Sequence, residues 1–307
     1  MDKTAKIYVA GHRGLAGSAI VRNLKHHGYE NILLKTSQEM DLRHWVAVEA
    51  FFVENRPEYV FLAAARVGGI HANDTLGGEF IRDNLLIQTH VMEAARLYGC
   101  QKLIFLGSSC IYPKMAPQPL KEEYLLQGAL ETTNEPYAIA KIAGLKMLEA
   151  YRKQFNFSGI TLMPTNLYGY GDNFDLQNGH VLAALLRKFH EAKINKAHSV
   201  TVWGSGAPKR EFLFADDLAE ACIFLAQHYD SSELINVGVG EDISIADLAR
   251  LIAGVVGFRG EIEFDPSMPD GTPRKLLDVS KIQQLGWKAK VPLEDGIRKL
   301  YEFYTQQ

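Results

Sequence analysis

The 307-residue chain lacks the features that mark several broad classes of protein. It has three cysteines, Cys100, Cys110 and Cys222, which are few, odd in number and not in metal spacing, so no metal and a reducing, cytoplasmic setting are expected. No apolar run approaches the roughly 20 residues needed to cross a bilayer. The first strand pattern opens within a few residues of Met1, leaving no room for a signal peptide, and no membrane role is expected. An excess of one charge is missing too: 33 Lys and Arg stand against 36 Asp and Glu, a formal net charge of -3 that argues against nucleic-acid binding. There is no internal repeat, low-complexity tract or disordered linker, and the length suits one large or two modest domains.

What is present begins with glycine. The apolar run Lys6-Ile7-Tyr8-Val9-Ala10 enters Gly11-His12-Arg13-Gly14-Leu15-Ala16-Gly17 and then a helical pattern through Ile20, Val21 and Leu24, which reads as strand, tight turn, helix. Gly11 permits the turn, Gly14 lets a backbone approach a pyrophosphate, and Gly17 lets helix and strand pack closely. The helix N-terminus offers unpaired amides to phosphates. Further strands are expected at residues 32–34, 59–62, 103–106 and 159–162, each apolar on both faces as buried parallel strands are. Helical patterns lie between them, at 45–52, 80–97 and 137–155. This order predicts an α/β fold, a doubly wound parallel sheet of Rossmann type, with a dinucleotide-binding domain over residues 1–166. After Pro164 the texture turns to Gly, Pro and Asn-rich loops, predicting a smaller mixed α/β substrate-binding lobe over 167–307, while 212–229 returns to the large domain. Ligands are expected at the carboxyl edge of the sheet.

The second strand ends in Lys35-Thr36, where NAD sites usually place an acid, and Arg13 stands in the glycine turn. Two cations favour a 2′-phosphate, so the cofactor is expected to be NADP(H) rather than NAD(H). Asp41-Leu42 reads equally as an adenine contact or as an N-cap before Trp45. Tyr137 and Lys141, four apart on a helix, share one face. The ammonium is expected to draw the phenol down from its ordinary pKa of about 10. With the Ser108 hydroxyl, the pair can hold a carbonyl oxygen and move its proton. If the chain stays extended after the fourth strand, Ser108 and Cys110 point the same way.

Several stretches together resemble the GDP-L-fucose synthase family of the extended short-chain dehydrogenases/reductases. They are residues 11–17, Val67-Gly68-Gly69-Ile70, Gly107-Ser108-Ser109-Cys110-Ile111-Tyr112-Pro113, residues 136–144, Pro164-Thr165-Asn166-Leu167-Tyr168-Gly169, Val202-Trp203-Gly204-Ser205-Gly206 and Pro269-Asp270-Gly271-Thr272-Pro273-Arg274-Lys275-Leu276. The resemblance runs to about Trp287 and implies conversion of GDP-4-keto-6-deoxy-D-mannose to GDP-L-fucose, by epimerisation at C3 and C5 and NADPH-dependent reduction at C4. It implies Cys110 and His180 as the epimerisation acid/base pair, whose ordinary pKa values of about 8.5 and 6.5 bracket neutrality. Ser108, Tyr137 and Lys141 serve reduction. The cofactor contacts it implies are Gly11, His12, Arg13, Gly14, Leu15, Ala16, Gly17, Lys35, Asp41, Leu42, Gly107, Ser108, Lys141, Pro164, Thr165, Asn166, Leu167 and His180. For the GDP-sugar it singles out Lys188, Trp203, Arg210 and Asp270, and it implies a homodimer. Arg274 and Lys275 are further cations suited to a diphosphate. Read without the resemblance, Cys110 is a small buried hydrophobe and His180 a capping or surface histidine, while Trp203 packs either on the substrate or in the core and Asp270 either bonds a ribose or base or serves a turn. Two other functions remain open: another NADP-dependent sugar-nucleotide epimerase, dehydratase or reductase of the extended family, and a dinucleotide sensor without chemistry.

Overall fold

Strand Ile7–Ala10 (β1) is buried on both faces, with Ile7 and Val9 in one apolar cluster and Tyr8 and Ala10 in another. That double burial is what a continuous apolar run encodes, and it repeats along the sheet. The computed structural model describes residues 1–176, 179–268 and 270–306, the side chains of Ile70 and His71 excepted. Pro269, which opens one of the quoted motifs, lies outside the described residues.

From β1 the chain forms α1 (Leu15–His26), β2 (Ile32–Leu33), α2 (Trp45–Asn55), β3 (Tyr59–Leu62), α3 (Ile70–Thr75), α4 (Gly77–Leu97), β4 (Lys102–Leu106), α5 (Glu135–Phe155) and β5 (Gly159–Pro164). There follow β6 (Asn166–Tyr168), α6 (Val181–Ile194), β7 (Ser199–Trp203), β8 (Lys209–Arg210), β9 (Phe212–Phe214), α7 (Ala215–His228) and β10 (Ile235–Val237). The chain closes with β11 (Ile243–Ser244), α8 (Ile245–Val256), β12 (Glu261–Asp265), β13 (Arg274–Lys275), α9 (Ser280–Gln284) and α10 (Leu293–Thr305).

Six strands make a parallel sheet in the order β10-β5-β4-β3-β1-β2, the doubly wound architecture expected. β2 departs from expectation: it has two residues, both half-buried, because it is the sheet's edge. The helix of segment 212–229 packs on the sheet, Leu218, Ala219 and Cys222 sharing a cluster with Ala19, Ile20 and Leu24 of α1, and Asp216 pairs with Arg22 at 2.8 Å. Its strand does not join the sheet, since β9 pairs with β6 in a separate two-stranded ribbon. β10 adds a sixth strand beside β5. A second core gathers Leu182, Leu186 and Phe189 of α6, Leu248 and Ile252 of α8, and Ile297 and Leu300 of α10. Among the described residues no helix is long and apolar enough to cross a membrane.

The chain leaves β1 toward β2 and returns past β1 to β3, so the segments that follow these two paired strands depart in opposite directions and leave a crevice at their carboxyl ends. Gly11, at φ 84°, turns the backbone out of β1 there. A Cβ on Gly17 would stand 2.1 Å from the Gly11 carbonyl oxygen, so α1 rests directly on the turn.

Gly17→Ala therefore forces backbone apart and is expected to destabilise the protein by about 1–3 kcal/mol in denaturant unfolding. Gly254→Ala, in α8 with nothing near its would-be Cβ, is the matched control and is expected to be neutral or to stabilise by up to about 1 kcal/mol. Equal midpoints for Gly17→Ala and wild type would remove the close-packing role.

Candidate active site

A cleft of about 1080 Å³ runs along the carboxyl edge of the sheet. All but one of the residues singled out for cofactor, substrate or catalysis line it: residues 11–17, Lys35, Asp41, Leu42, Gly107, Ser108, Cys110, Tyr137, Lys141, residues 164–167, His180, Lys188, Trp203, Arg210, Asp270 and Lys275. Arg274 is not brought in. It is exposed and paired with Asp242, pointing away from its neighbour Lys275, which does line the cleft. Among the described residues no group of three or more His, Cys, Asp or Glu gathers to hold a metal.

At one end, α1 starts at Gly14 with no side-chain cap and no acid in its first turn. Its first amides and positive dipole end are left for an anion. A buried His12 Nδ1 without a partner also faces this region. Arg13 and Lys35 flank it, and the nearby Glu39 carboxylate is turned aside, accepting the Thr36 N–H at 2.8 Å and its hydroxyl at 2.7 Å. This donor set fits a dinucleotide diphosphate carrying an additional phosphate. Asp41 is not the N-cap of α2; His44 holds that position, and Asp41 accepts the Arg43 N–H at 2.9 Å and pairs with its guanidinium at 2.7 Å. Those bonds hold Asp41 down at about 2. The sequence did not point to Asp83, a buried carboxylate on α4 met by Arg66 at 2.9 Å, Arg82 at 2.8 Å and Arg43 at 3.3 Å. The available signal was a polar set, Asp83, Asn84 and Gln88, on the buried face that continues into Val91, Met92 and Ala95.

At the reacting centre, α5 carries Tyr137 and Lys141 on one face. Lys141 is buried and its Nζ donates to the Leu106 carbonyl at 2.8 Å. Burial without a carboxylate pushes this lysine down to about 7. Tyr137 moves opposite to expectation: burial drives it up, the Cys110 charge adds to that, and the Ser108 hydroxyl pulls it down. The lysine does not lower it, because a lysine stripped of water is itself easily discharged.

The chain does not stay extended after β4. Ser108 is extended, but Ser109–Ile111 form one 3₁₀ turn in which the Cys110 N–H donates to Ser108 Oγ at 3.3 Å. Cys110 thus reaches the cleft by a turn rather than by strand alternation, and it is half-buried instead of lost in the core. Its sulfur lies 3.5 Å from Asn134 Nδ2 and 3.6 Å from Lys275 Nζ. Asn134 escapes sequence reading because an Asn before Glu135-Pro136 looks like a helix cap, yet its side chain caps nothing. His180 stands at the N-cap of α6 without a side-chain capping bond, its Nδ1 3.7 Å from Oδ1 of the buried Asp172.

Across the cleft, Trp203 is 48% exposed, which excludes the core reading, and Lys188 Nζ sits 5.1 Å from its ring centroid. Asp270 does act as a loop tie, accepting the Ser205 N–H and hydroxyl at 2.7 Å each. Its backbone carbonyl also accepts Arg210 Nη2 at 3.4 Å.

The family model described as "NAD dependent epimerase/dehydratase family" matches residues 7–238. GDP-L-fucose synthase 1 of Arabidopsis thaliana is 57% identical over 305 residues, covering 99% of this chain and 94% of that protein. Among solved structures, a GDP-6-OMe-4-keto-L-xylo-heptose reductase from C. jejuni has a TM-score of 0.94 at 42% identity, covering 100% of this chain and 99% of that one. A GDP-L-fucose synthetase from Naegleria fowleri bound to NADP has a TM-score of 0.92 at 29% identity, covering 100% and 95%.

The discharged lysine sets a pH dependence. Its folded value of about 7 lies below the ordinary 10.5, so the unfolded chain binds the extra proton between them and stability rises with pH over that window. Below about pH 7 the cost of the buried charge is fully present. Lys141→Met should raise the melting temperature of the ligand-free protein most at pH 6, and the gain should shrink steadily toward pH 10. A constant difference across that range in thermal melts would show that Lys141 stays charged when buried.

Proposed function

The chain belongs to the NAD dependent epimerase/dehydratase family, and we propose that it converts GDP-4-keto-6-deoxy-D-mannose to GDP-L-fucose, epimerising C3 and C5 and then reducing C4 with NADPH. The observation that carries this reading is the thiol of Cys110 in one cleft with Ser108, Tyr137 and the His180 imidazole. A simple reductase needs the hydroxyl pair alone; inverting the carbons on either side of a ketone needs an added acid and base.

The C4 ketone acidifies the hydrogens at C3 and C5. One member of the Cys110–His180 pair removes such a proton and the other returns one to the opposite face. Ser108 and Tyr137 hydrogen-bond the ketone oxygen and stabilise the enolate formed between the two transfers. In reduction, Tyr137 gives its proton to the C4 oxygen, and burial, which keeps the proton on the phenol, suits that donor role. NADPH, when bound, supplies the hydride. Residues 11–17 with Arg13 and Lys35 would hold its phosphates, Asp41 and Leu42 its adenine side, and Lys141 with residues 164–167 its nicotinamide half. Lys188 and Arg210 would meet the GDP diphosphate, with Trp203 and Asp270 alongside. The same reading divides the chain into a dinucleotide-binding domain over 1–166, joined by 212–229, and a substrate lobe over 167–307. It carries a cytoplasmic homodimer as well.

A second reading, a GDP-keto-sugar 4-reductase, is favoured by the likeness to the heptose reductase structure. One experiment separates the two: incubation with the keto-sugar and NADPH in deuterium oxide, followed by mass analysis of C3 and C5. Wild type should label both carbons and form GDP-L-fucose. Tyr137→Phe should lose reduction by roughly 100-fold or more, while exchange, still supported by Ser108, should continue at a reduced rate. Cys110→Ser should lose exchange while slow reduction of the unepimerised sugar persists. NADPH consumption by wild type without label at either carbon would replace this function with the plain reductase.

A further inference from the structure

We infer that Lys275 is the positioning residue that keeps Cys110 in its proton-accepting form: its ammonium is the counter-ion of the thiolate. The inference rests on the proton-transfer role proposed for Cys110 and names what makes that role possible.

The lysine and the sulfur are 3.6 Å apart, Nζ to Sγ, and Asn134 Nδ2 donates toward the same sulfur from 3.5 Å. A thiol beside a cation ionises more readily than one in an apolar setting. The surrounding charges leave Lys275 free for this task. Glu131, near the sulfur, is taken by Lys114 at 2.8 Å, and Arg274 is taken by Asp242. Burial is the main influence on Arg210 and Tyr137, lowering the first and raising the second, and the sulfur's charge adds a smaller pull on Arg210 and a smaller push on Tyr137. Among the described residues Lys275 has no carboxylate partner of its own.

The backbone around Lys275 is fixed on every side. β13 pairs with β8 so that Lys275 lies opposite Arg210. The next two amides are anchored, Leu276 N–H to Gln118 Oε1 at 2.9 Å and Leu277 N–H to Glu211 Oε2 at 2.9 Å. Strand alternation then sends Arg274 out to solvent and Lys275 into the cleft. The sugar's carbon acid loses its proton to the thiolate, which becomes a thiol; the ammonium keeps its own protons throughout and only weights the sulfur's charge state.

The test is alkylation of Cys110 by iodoacetamide in the full-length, ligand-free protein, followed on its peptide by mass spectrometry. Cys100 and Cys222 are buried and serve as internal unreactive controls. Lys275→Met should slow alkylation at pH 7 by roughly three- to tenfold, less than the loss of thiolate itself, because a less acidic thiol gives a more nucleophilic thiolate. Lys275→Arg should restore most of the rate. By about pH 10, where thiols ionise unaided, the difference should close and then turn in favour of Lys275→Met, whose thiolate is the more nucleophilic. Wild-type reactivity of Lys275→Met at pH 7 would overturn the inference, and a raised KM for the keto-sugar in that variant would then reassign Lys275 to the diphosphate. Should Lys275→Met fail to fold, wild type alone decides: Cys110 alkylating no faster at pH 7 than an unstructured cysteine peptide overturns it as well. Normal deuterium exchange in Cys110→Ser sinks the underlying function instead, whatever the alkylation rates are.

Discussion

A carboxylate taken wholly out of water costs several kcal/mol unless its oxygens find donors. Glu211, fully buried at the seam of the two cores, meets that condition chiefly with backbone. Its oxygens accept the N–H groups of Val239 at 2.6 Å, Gly240 at 2.7 Å and Leu277 at 2.9 Å. Its own carbonyl accepts the side chains of Thr165 at 3.2 Å and Asn166 at 2.8 Å. Burial still pushes its pKa up against the pull of those amides. One residue thereby joins the end of β5, the loop after β10 and the strand that carries Lys275. Its neighbour Arg210 looks into the cleft from the same point, so the substrate wall inherits its position from this buried charge.

The cleft's chemistry is governed by removal of water rather than by assembled ion pairs. Lys141 has a carbonyl for company and Tyr137 a serine, so each is driven toward its neutral form. At the dinucleotide end the opposite holds: Asp41 and Asp83 are charged and tied to arginines. The same sheet edge therefore offers a fixed, charged grip at one end and proton-mobile groups at the other. That division suits a bound phosphate-rich cofactor beside a carbonyl whose proton must move.

Much of this was legible in the sequence because buried parallel strands write themselves as unbroken apolar runs, and because the glycine turn dictates its own geometry through Gly11 and Gly17. What was not legible depended on tertiary partners. β10 is three residues long, and nothing local in Ile235–Val237 says that it extends a sheet begun two hundred residues earlier. Cys110 reaches the cleft through a 3₁₀ turn that a strand-alternation rule does not foresee. The opposite fates of Arg274 and Lys275, alike on paper, were decided by Asp242 on one side and a thiol on the other. The direction in which Tyr137 shifts follows from burial, a quantity no spacing contains.

The seam at Glu211 also orders events during synthesis. A ribosome releases the glycine turn, Ser108, Tyr137 and Lys141 well before residue 277, and N-terminal units fold as they emerge. Until Leu277 has cleared the exit tunnel, Glu211 is short of one donor and Cys110 has no lysine beside it. A nascent chain can therefore order its first strands early, but the core they share with Leu277, Val279, Ile282 and Trp287 closes only late in synthesis, when Lys275 reaches the Cys110 sulfur. Order of synthesis thus makes the wall of the cleft that carries Lys275 the last part to be set in place.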